Sequence, residues 1–322
     1  MDTQYFVDPL RTSGRSLRPS SIFGAVTVPP EVVQLHKGND AYRSLSTASN
    51  PHWMQSIPDN TSLTSISIPE NFGPSADTLT AQLNTGIRAF DIRLRINEGN
   101  TFTVHHGAIY QNANFDDVLN KWDVFLTAHP SEALLVRIRH ECTGEGLSCS
   151  DDSGQKSFVD IFDQYRDSSP AAQRIWWRES TDRDNAAPVP TLGVVRGKAV
   201  LMVINEKFGG RAYEYGLAQF SEWNHGSSKF VQDSYTVPTI FNIPKKHDEV
   251  RSFLDSTNTG NQSAIYVNFC SGASAGAYPY TVAGGSPGIQ GVNPFLLDYL
   301  NQGTEVHRTG VMFMDFPGGW AH

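Results

Sequence analysis

Apolar residues recur along this chain in two rhythms. Phe115, Val118, Leu119, Trp122, Phe125 and Leu126 fall at helical spacing, with Asn114 as the predicted N-cap and Asp116 and Asp117 in the first turn. Pro130 marks the end region of that helix. Phe158, Ile161, Phe162 and Tyr165 form a second helical face. Asn293-Pro294 ahead of Phe295, Leu296, Tyr299 and Leu300, with Gly303 beyond, carries start and stop signals for a third helix. Between these lie short apolar runs that read as buried strands: Ala133 to Ile138, Ala199 to Ile204, Ala264 to Phe269, and Gly310 to Phe316. Strands alternating with helices over this length predict an α/β fold with a parallel sheet. A doubly wound sheet is the alternative, but no Gly-rich phosphate loop follows any predicted strand.

One strand departs from the buried pattern. In Arg88-Ala-Phe-Asp-Ile-Arg-Leu-Arg-Ile96 the even positions from Phe90 are apolar, which places Asp91, Arg93 and Arg95 on the opposite face. A carboxylate and two guanidinium groups on one face are costly unless they pair or meet a charged ligand. The same residues would serve equally as an ion-pair ladder on a solvated edge. Thr103-Val-His-His-Gly107 follows, ending a second short β-type run, and a histidine there suits proton transfer or a hydrogen-bonded core position. Arg137 and Arg139 share one face of the next strand with Glu141 after it, and Asp315 ends the strand from Val311. Charged residues thus recur at the C-terminal ends of successive strands, where barrel active sites lie. A convergent set of Arg, His and Asp suits an anionic phosphate substrate.

Composition narrows the partners. The 322 residues hold 25 Lys+Arg against 33 Asp+Glu, a net charge of −8, and this acidic balance argues against nucleic acid. The three cysteines, Cys142, Cys149 and Cys270, are too few for a disulfide framework, and they fit either one pair with a lone thiol or three thiols. No His/Cys metal spacing occurs. Residues 1 to about 48 are Pro-, Ser- and Gly-rich without periodicity and read as an irregular leader. Arg11, Arg15 and Arg18 precede a short apolar stretch there, but Asp2, Asp8 and interrupting Gly and Thr argue against a targeting segment. No apolar run approaches the length of a membrane span. Asn60-Thr-Ser and Asn261-Gln-Ser match the glycosylation tripeptide. Ile175-Trp-Trp177 suits a membrane interface or, better, the core.

Several motifs, in order, carry a resemblance. Trp53-Met-Gln-Ser-Ile-Pro-Asp59, Ile66-Ser-Ile-Pro69, Gly86-Ile-Arg-Ala-Phe-Asp-Ile-Arg93, Val104-His-His-Gly107, Pro130-Ser-Glu132, Arg196-Gly-Lys198, Val231-Gln-Asp-Ser-Tyr235 and Ile265-Tyr-Val-Asn-Phe269 resemble the phosphatidylinositol-specific phospholipase C X-domain family, in its bacterial-type, metal-independent branch. The resemblance implies a distorted TIM (β/α) barrel of the PLC-like phosphodiesterase type over residues 49–322. It implies cleavage of a phosphoinositide or related phosphodiester lipid, with transient contact to a membrane surface and neither metal nor cofactor. The inositol 2-hydroxyl would attack phosphorus, giving a cyclic inositol phosphate and diacylglycerol.

By position, the resemblance makes His106 the general acid, Asp315 the carboxylate that orients it, and Arg93 the cation that stabilises the phosphorane. Asp91 supports the opposite, general-base side. Arg139 stands where the bacterial enzymes have Lys, and Arg196, Asp233 and Tyr235 match inositol-binding positions. Asp91, Arg93, His106, Arg139 and Asp315 are expected at one mouth of a closed parallel barrel. One departure stands out: the family continues its Ile-Pro with Gly-Thr-His-Asp, whose His is the general base, whereas Pro69 here precedes Glu70-Asn-Phe-Gly-Pro74. Phe72 occupies the place of that His, and the connection to Gly86 is shorter than the family's. Slow turnover is therefore expected, unless Glu70 or Asp77 serves as base. A catalytically silent binder of inositol phosphates is the second reading. A glycerophosphodiester phosphodiesterase is a third, but its carboxylate set and early His-Arg motif are missing.

Overall fold

The computed structural model describes residues 49–71, 76–141, 151, 153–183, 185–206, 215–225, 228–302 and 306–316. The leader, Phe72, Cys142, Cys149 and Gly303 lie outside the described residues, as do the side chains of Glu70 and Asp77.

From β1 (Ile68–Asn71) the chain crosses through α1 (Ala76–Thr85) to β2 (Ala89–Asn97), then folds back as a hairpin of β3 (Thr101–His106) and β4 (Ile109–Asn114). α2 (Phe115–Ala128) leads to β5 (Ala133–His140). Three helices, α3 (Phe158–Ser168), α4 (Pro170–Ile175) and α5 (Leu192–Val195), precede β6 (Lys198–Asn205). The order then runs β7 (Val231–Gln232), α6 (Ile243–Thr259), β8 (Val267–Phe269), α7 (Pro279–Gly284), a small hairpin of β9 (Gly285–Ser286) and β10 (Ile289–Gln290), α8 (Val292–Asn301) and β11 (Val311–Met314).

Seven of these strands run parallel in the order β6-β5-β2-β1-β11-β8-β7, so the last strand lies beside the first. Helical crossovers on the outside of such a curved parallel sheet make it the distorted (β/α) barrel that the strand–helix alternation predicts. It is not closed as expected: among the described residues no ladder joins β7 to β6. Instead the 3-10 helix Ala218–His225 lies beside β6, its entry fixed by the Leu217 N–H donating to the Met202 carbonyl, and Phe220 and Trp223 fill the gap.

Strand alternation sorts the apolar residues into layers. Ala89, Leu135, Val200, Met202, Val267, Phe269, Val311 and Phe313 face the lumen. Phe90, Ile92, Leu94, Leu134, Val136 and Ile138 face outward against α1 to α4, where Trp122, Phe125 and Phe162, with Trp176 just past α4, complete that layer. Trp176 and Trp177 are buried, as core residues. On the far side Cys270, Met312 and Met314 pack against α6, α7 and α8.

The helix signals hold with one shift. The Asn114 side chain accepts from Asp117 N–H at 2.9 Å and Asp117 accepts from Asn114 N–H at 3.0 Å, a reciprocal cap worth about 1 kcal/mol. α8 starts earlier than Asn293-Pro294, with Gly291 as N-cap. The Asn293 side chain is buried instead and donates to the Asp315 carbonyl at 2.9 Å, a tertiary use that its position before proline disguises. No helix among the described residues is long and apolar enough to cross a membrane.

Candidate active site

The site is laid out by register. Asp91 on β2 lies level with Arg137 on β5, and two residues further Arg93, Arg139 and Asn205 form a row across β2, β5 and β6. Asn205 joins this row because β6 carries one extra residue between Leu201 and Val203, a β-bulge at Met202 that reverses the lumen-facing parity. The paired-strand reading of Asp91 and Arg93 is therefore realised on the lumen side, not on a solvated edge.

Charge pairing here is tight at the floor and loose at the rim. Arg137 Nη1 donates to Asp91 Oδ2 at 2.8 Å, and both side chains are almost wholly buried. Arg93 keeps longer pairs, 3.9 Å to Asp91 and 3.5 Å to Glu141, while Arg139 Nε stands 3.5 Å from the other Glu141 oxygen. Glu141 also accepts from the Gly107 N–H at 2.8 Å. Gly107 adopts φ +57, the left-handed turn that glycine takes without strain, and so the sequence His-His-Gly places His106 at the hairpin tip against this carboxylate.

His106 is half-buried. Desolvation pushes its imidazole down to about 4; Arg93 and Arg139 act the same way, and Glu141 and Asp91 oppose them. His105, on the other face of β3, packs against Tyr110 and is also pushed down by burial. Asp315 lies just past β11, buried, and burial raises its carboxyl to about 7 against the pull of Arg93, Lys246 and a Gly272 N–H. Asp233 follows β7. It opens to solvent in the mouth yet has protein on most sides, so desolvation raises its pKa while Arg137, Arg139 and Arg93 lower it.

Arg93 thus lies within electrostatic reach of Asp91, His106, Asp233 and Asp315, and Arg139 beside it reaches His106 and Asp233, all at the C-terminal mouth. Tyr235 sits on the rim, 65% exposed. Residues 235–239 run beside 273–276, and Phe241, Tyr278, Tyr280 and Phe316 extend an aromatic edge, with the Tyr280 and Phe316 rings 5.5 Å apart.

Arg196 does not join them. It precedes β6, whose length from Lys198 to Asn205, about 23 Å, separates it from Asn205. Its guanidinium bonds Asp59 Oδ1 at 2.6 Å and the carbonyls of Met54, Ile57 and Ser131, closing the N-terminal end of the barrel. The Arg-Gly-Lys motif is a strand entry, and an arginine two residues ahead of a parallel strand belongs to the face opposite the mouth.

Some site residues escaped the sequence. Arg137 shares its strand face with Arg139, which was the available signal. Asn205 needed the bulge to be seen. Lys246 is 1% exposed on the apolar face of α6, where its ammonium donates to Ser234 O at 2.7 Å and Gln232 Oε1 at 3.2 Å, bracing the segment that carries Asp233 and Tyr235. A lysine at helical spacing with Ile243, Val250 and Leu254 was its only trace.

The α/β barrel with cations in its lumen and a histidine on its hairpin agrees with the fold of the proteins this chain resembles. Residues 52–203 match the family profile described as phosphatidylinositol-specific phospholipase C, X domain, and the resemblance to bacterial members runs over most of the chain. The chain is 27% identical to the 1-phosphatidylinositol phosphodiesterase of Staphylococcus aureus (strain Newman), covering 87% of this chain and 93% of that protein. It is 25% identical to the enzyme of that name from Listeria monocytogenes, covering 84% and 83%. Among solved structures, a variant of the Staphylococcus aureus phosphatidylinositol-specific phospholipase C superposes with TM-score 0.66 at 26% identity, covering 86% of this chain and 93% of that one. The Listeria monocytogenes enzyme shares the fold, with TM-score 0.60. The chain thus resembles phosphodiesterases of the phosphatidylinositol phospholipase C type over most of its length.

Proposed function

We propose that residues 49–322 form a single barrel domain that binds the headgroup of phosphatidylinositol or a related phosphodiester lipid in the mouth and cleaves it slowly. The observation that carries the reading is the row of Arg93 and Arg139 beside His106, with Asp233 opposite, at the C-terminal ends of the strands. Two guanidinium groups held by one carboxylate suit a phosphate that displaces the long pairs.

The chemistry follows from charge. Burial and Arg93 both oppose the proton of His106, which is therefore neutral near pH 7. A phosphate anion beside Arg93 cancels part of that field and raises the imidazole towards a pKa at which it can protonate the departing glycerol oxygen. Arg93 stabilises charge on the phosphorane, so calcium has no task here, and headgroup binding should survive its chelation. Asp315 orients His106 from the β11 side, Asp91 supports the side of attack, and Asp233 and Tyr235 hold the sugar.

The step without an evident agent is proton abstraction from the 2-hydroxyl, since Phe72 stands where the family has its His. Loss of a general base typically costs about a hundred- to ten-thousand-fold. That same residue favours a second reading, a headgroup binder without turnover. Assay of phosphatidylinositol cleavage beside calorimetric titration with myo-inositol 1-phosphate tests both. Binding with turnover far below the family's is the expected result. Binding with no turnover at all would favour the second reading, and neither binding nor turnover would overturn the proposal.

A further inference from the structure

The lumen holds a cation that no expected role accounts for. Arg137 is fixed on two edges, donating through Nη1 to Asp91 Oδ2 at 2.8 Å and through Nε to Asn205 Oδ1 at 2.6 Å. Its guanidinium carbon lies 4.5 Å from the ring centroid of Trp223 and 5.6 Å from that of Phe269, the arrangement of cation–π contacts. With its side chain only 5% exposed, it offers little surface to a ligand. A side chain so held acts on the ligand through its neighbours.

The relevant neighbour is Asp91. Its side chain is fully buried, and its Oδ1 has no hydrogen-bond partner among the described residues. A buried carboxylate needs a cation, and two compete for it: Arg137 at 2.8 Å and Arg93 at 3.9 Å. Arg137 wins because Asn205 and the aromatic rings hold it in place. The outcome leaves Arg93 higher in the mouth, in long pairs with Asp91 and Glu141, beside His106.

We propose that Arg137 is a positioning residue which, by satisfying Asp91, keeps Arg93 from collapsing onto that carboxylate and so holds it ready for a phosphate. This rests on the headgroup reading of the mouth. Without Arg137, Asp91 draws Arg93 down into a short pair, and the mouth loses its phosphate contact although every rim residue is still present. A misplacement of about 1 Å in such a contact costs up to about a hundredfold. Removing the charge of Asp91 as well should release Arg93 again.

The test is a double-mutant cycle on the full chain with two readouts. The first is calorimetric binding of myo-inositol 1-phosphate; the second is the ligand-free NMR titration of His106, which senses Arg93 together with Glu141, Asp91 and Arg139. R137M should bind at least tenfold more weakly than wild type and shift the His106 titration. D91N/R137M should return to within about threefold of D91N in binding, with its His106 titration matching that of D91N. R137K, which keeps the charge near Asp91 but loses the bond to Asn205, should fall between wild type and R137M. It also serves if R137M does not fold. An R137M protein of lower Tm with unchanged binding and titration would reduce Arg137 to a structural part and overturn the proposal. Additive losses in the double variant would overturn the route through Asp91. Wild type that fails to bind the probe would overturn the headgroup reading instead, and the His106 titrations would still decide whether Arg137 governs Arg93.

Discussion

Arg93 and Arg139 face each other in register across the β2–β5 ladder, and Glu141 stands 3.5 Å from each. One carboxylate thus holds two cations that would otherwise repel, and through the Gly107 N–H it also fixes the turn that presents His106. Removing its charge has a definite sign at the imidazole. Glu141 raises the His106 pKa, so E141Q should titrate below the wild-type value of about 4. R93M should titrate above it. NMR titration of the free protein decides, and a rise in E141Q would contradict the arrangement.

Asp315 makes stability depend on pH in an unusual direction for a carboxylate. Its folded pKa is raised from 3.8 to about 7 by burial, so between these values the folded chain binds more protons than the unfolded one. Its contribution is therefore full below about pH 4 and declines as pH rises towards 7. The span corresponds to at most about 4 kcal/mol. D315N should be more stable than wild type at pH 8, and the gap should close as pH falls to 4. Denaturant unfolding at several pH values measures this; a gap independent of pH would refute it.

The arginine below β6 should behave as a fastener. R196M loses hydrogen bonds to Asp59 and three carbonyls, and a cost of about 2 kcal/mol is expected. Binding of myo-inositol 1-phosphate at a temperature where the variant is folded should stay within about twofold of wild type. A selective loss of affinity without loss of stability would return Arg196 to the site.

The rim aromatics predict a separation of surface from site. Phe241 is 78% exposed and Tyr278 61%, and neither belongs to the lumen. Sinking such a ring into the acyl boundary of a bilayer is worth about 1.5 kcal/mol or more, or roughly tenfold in partition. F241A and Y278A should each weaken sedimentation with phosphatidylinositol vesicles by about that factor. Affinity for the soluble headgroup should stay unchanged. Equal loss in both assays would point to a rim that shapes the site itself.

How far the sequence could be read depended on distance along the chain. The N-cap Asn114 and the acidic first turn of α2 were legible because these residues lie within one turn, whereas the reciprocal bond from Asp117 is seen only in the structure. Asp91 and Arg93 were legible because strand parity is local, and the mouth followed from charges repeated at strand ends. What hid was set by three dimensions. Arg196 looked like a ligand residue until its position ahead of β6 placed it at the wrong end. Arg137 and Arg139 are two residues apart on one face, yet one is a sealed floor and the other a rim group, a difference made by Trp223 and Phe269 from elements far along the chain. Lys246 reads as an error on an apolar helix face until the carbonyl of Ser234 is seen above it. That no ladder joins β6 to β7 among the described residues could not be foreseen, because Phe220 and Trp223 have no strand pattern to announce that they lie beside β6.

The bulge at Met202 carries a lesson for anyone altering this strand. It works as a frameshift: one inserted residue exchanges inside and outside for everything after it. Flattening the bulge with Met202 still in the strand would leave the composition of β6 untouched and a letter-by-letter comparison unchanged, yet Ile204 would turn inward and Asn205 outward. Arg137 would meet a hydrocarbon where it now has an amide oxygen. Engineering of this strand should therefore count positions from the bulge rather than match residues by type.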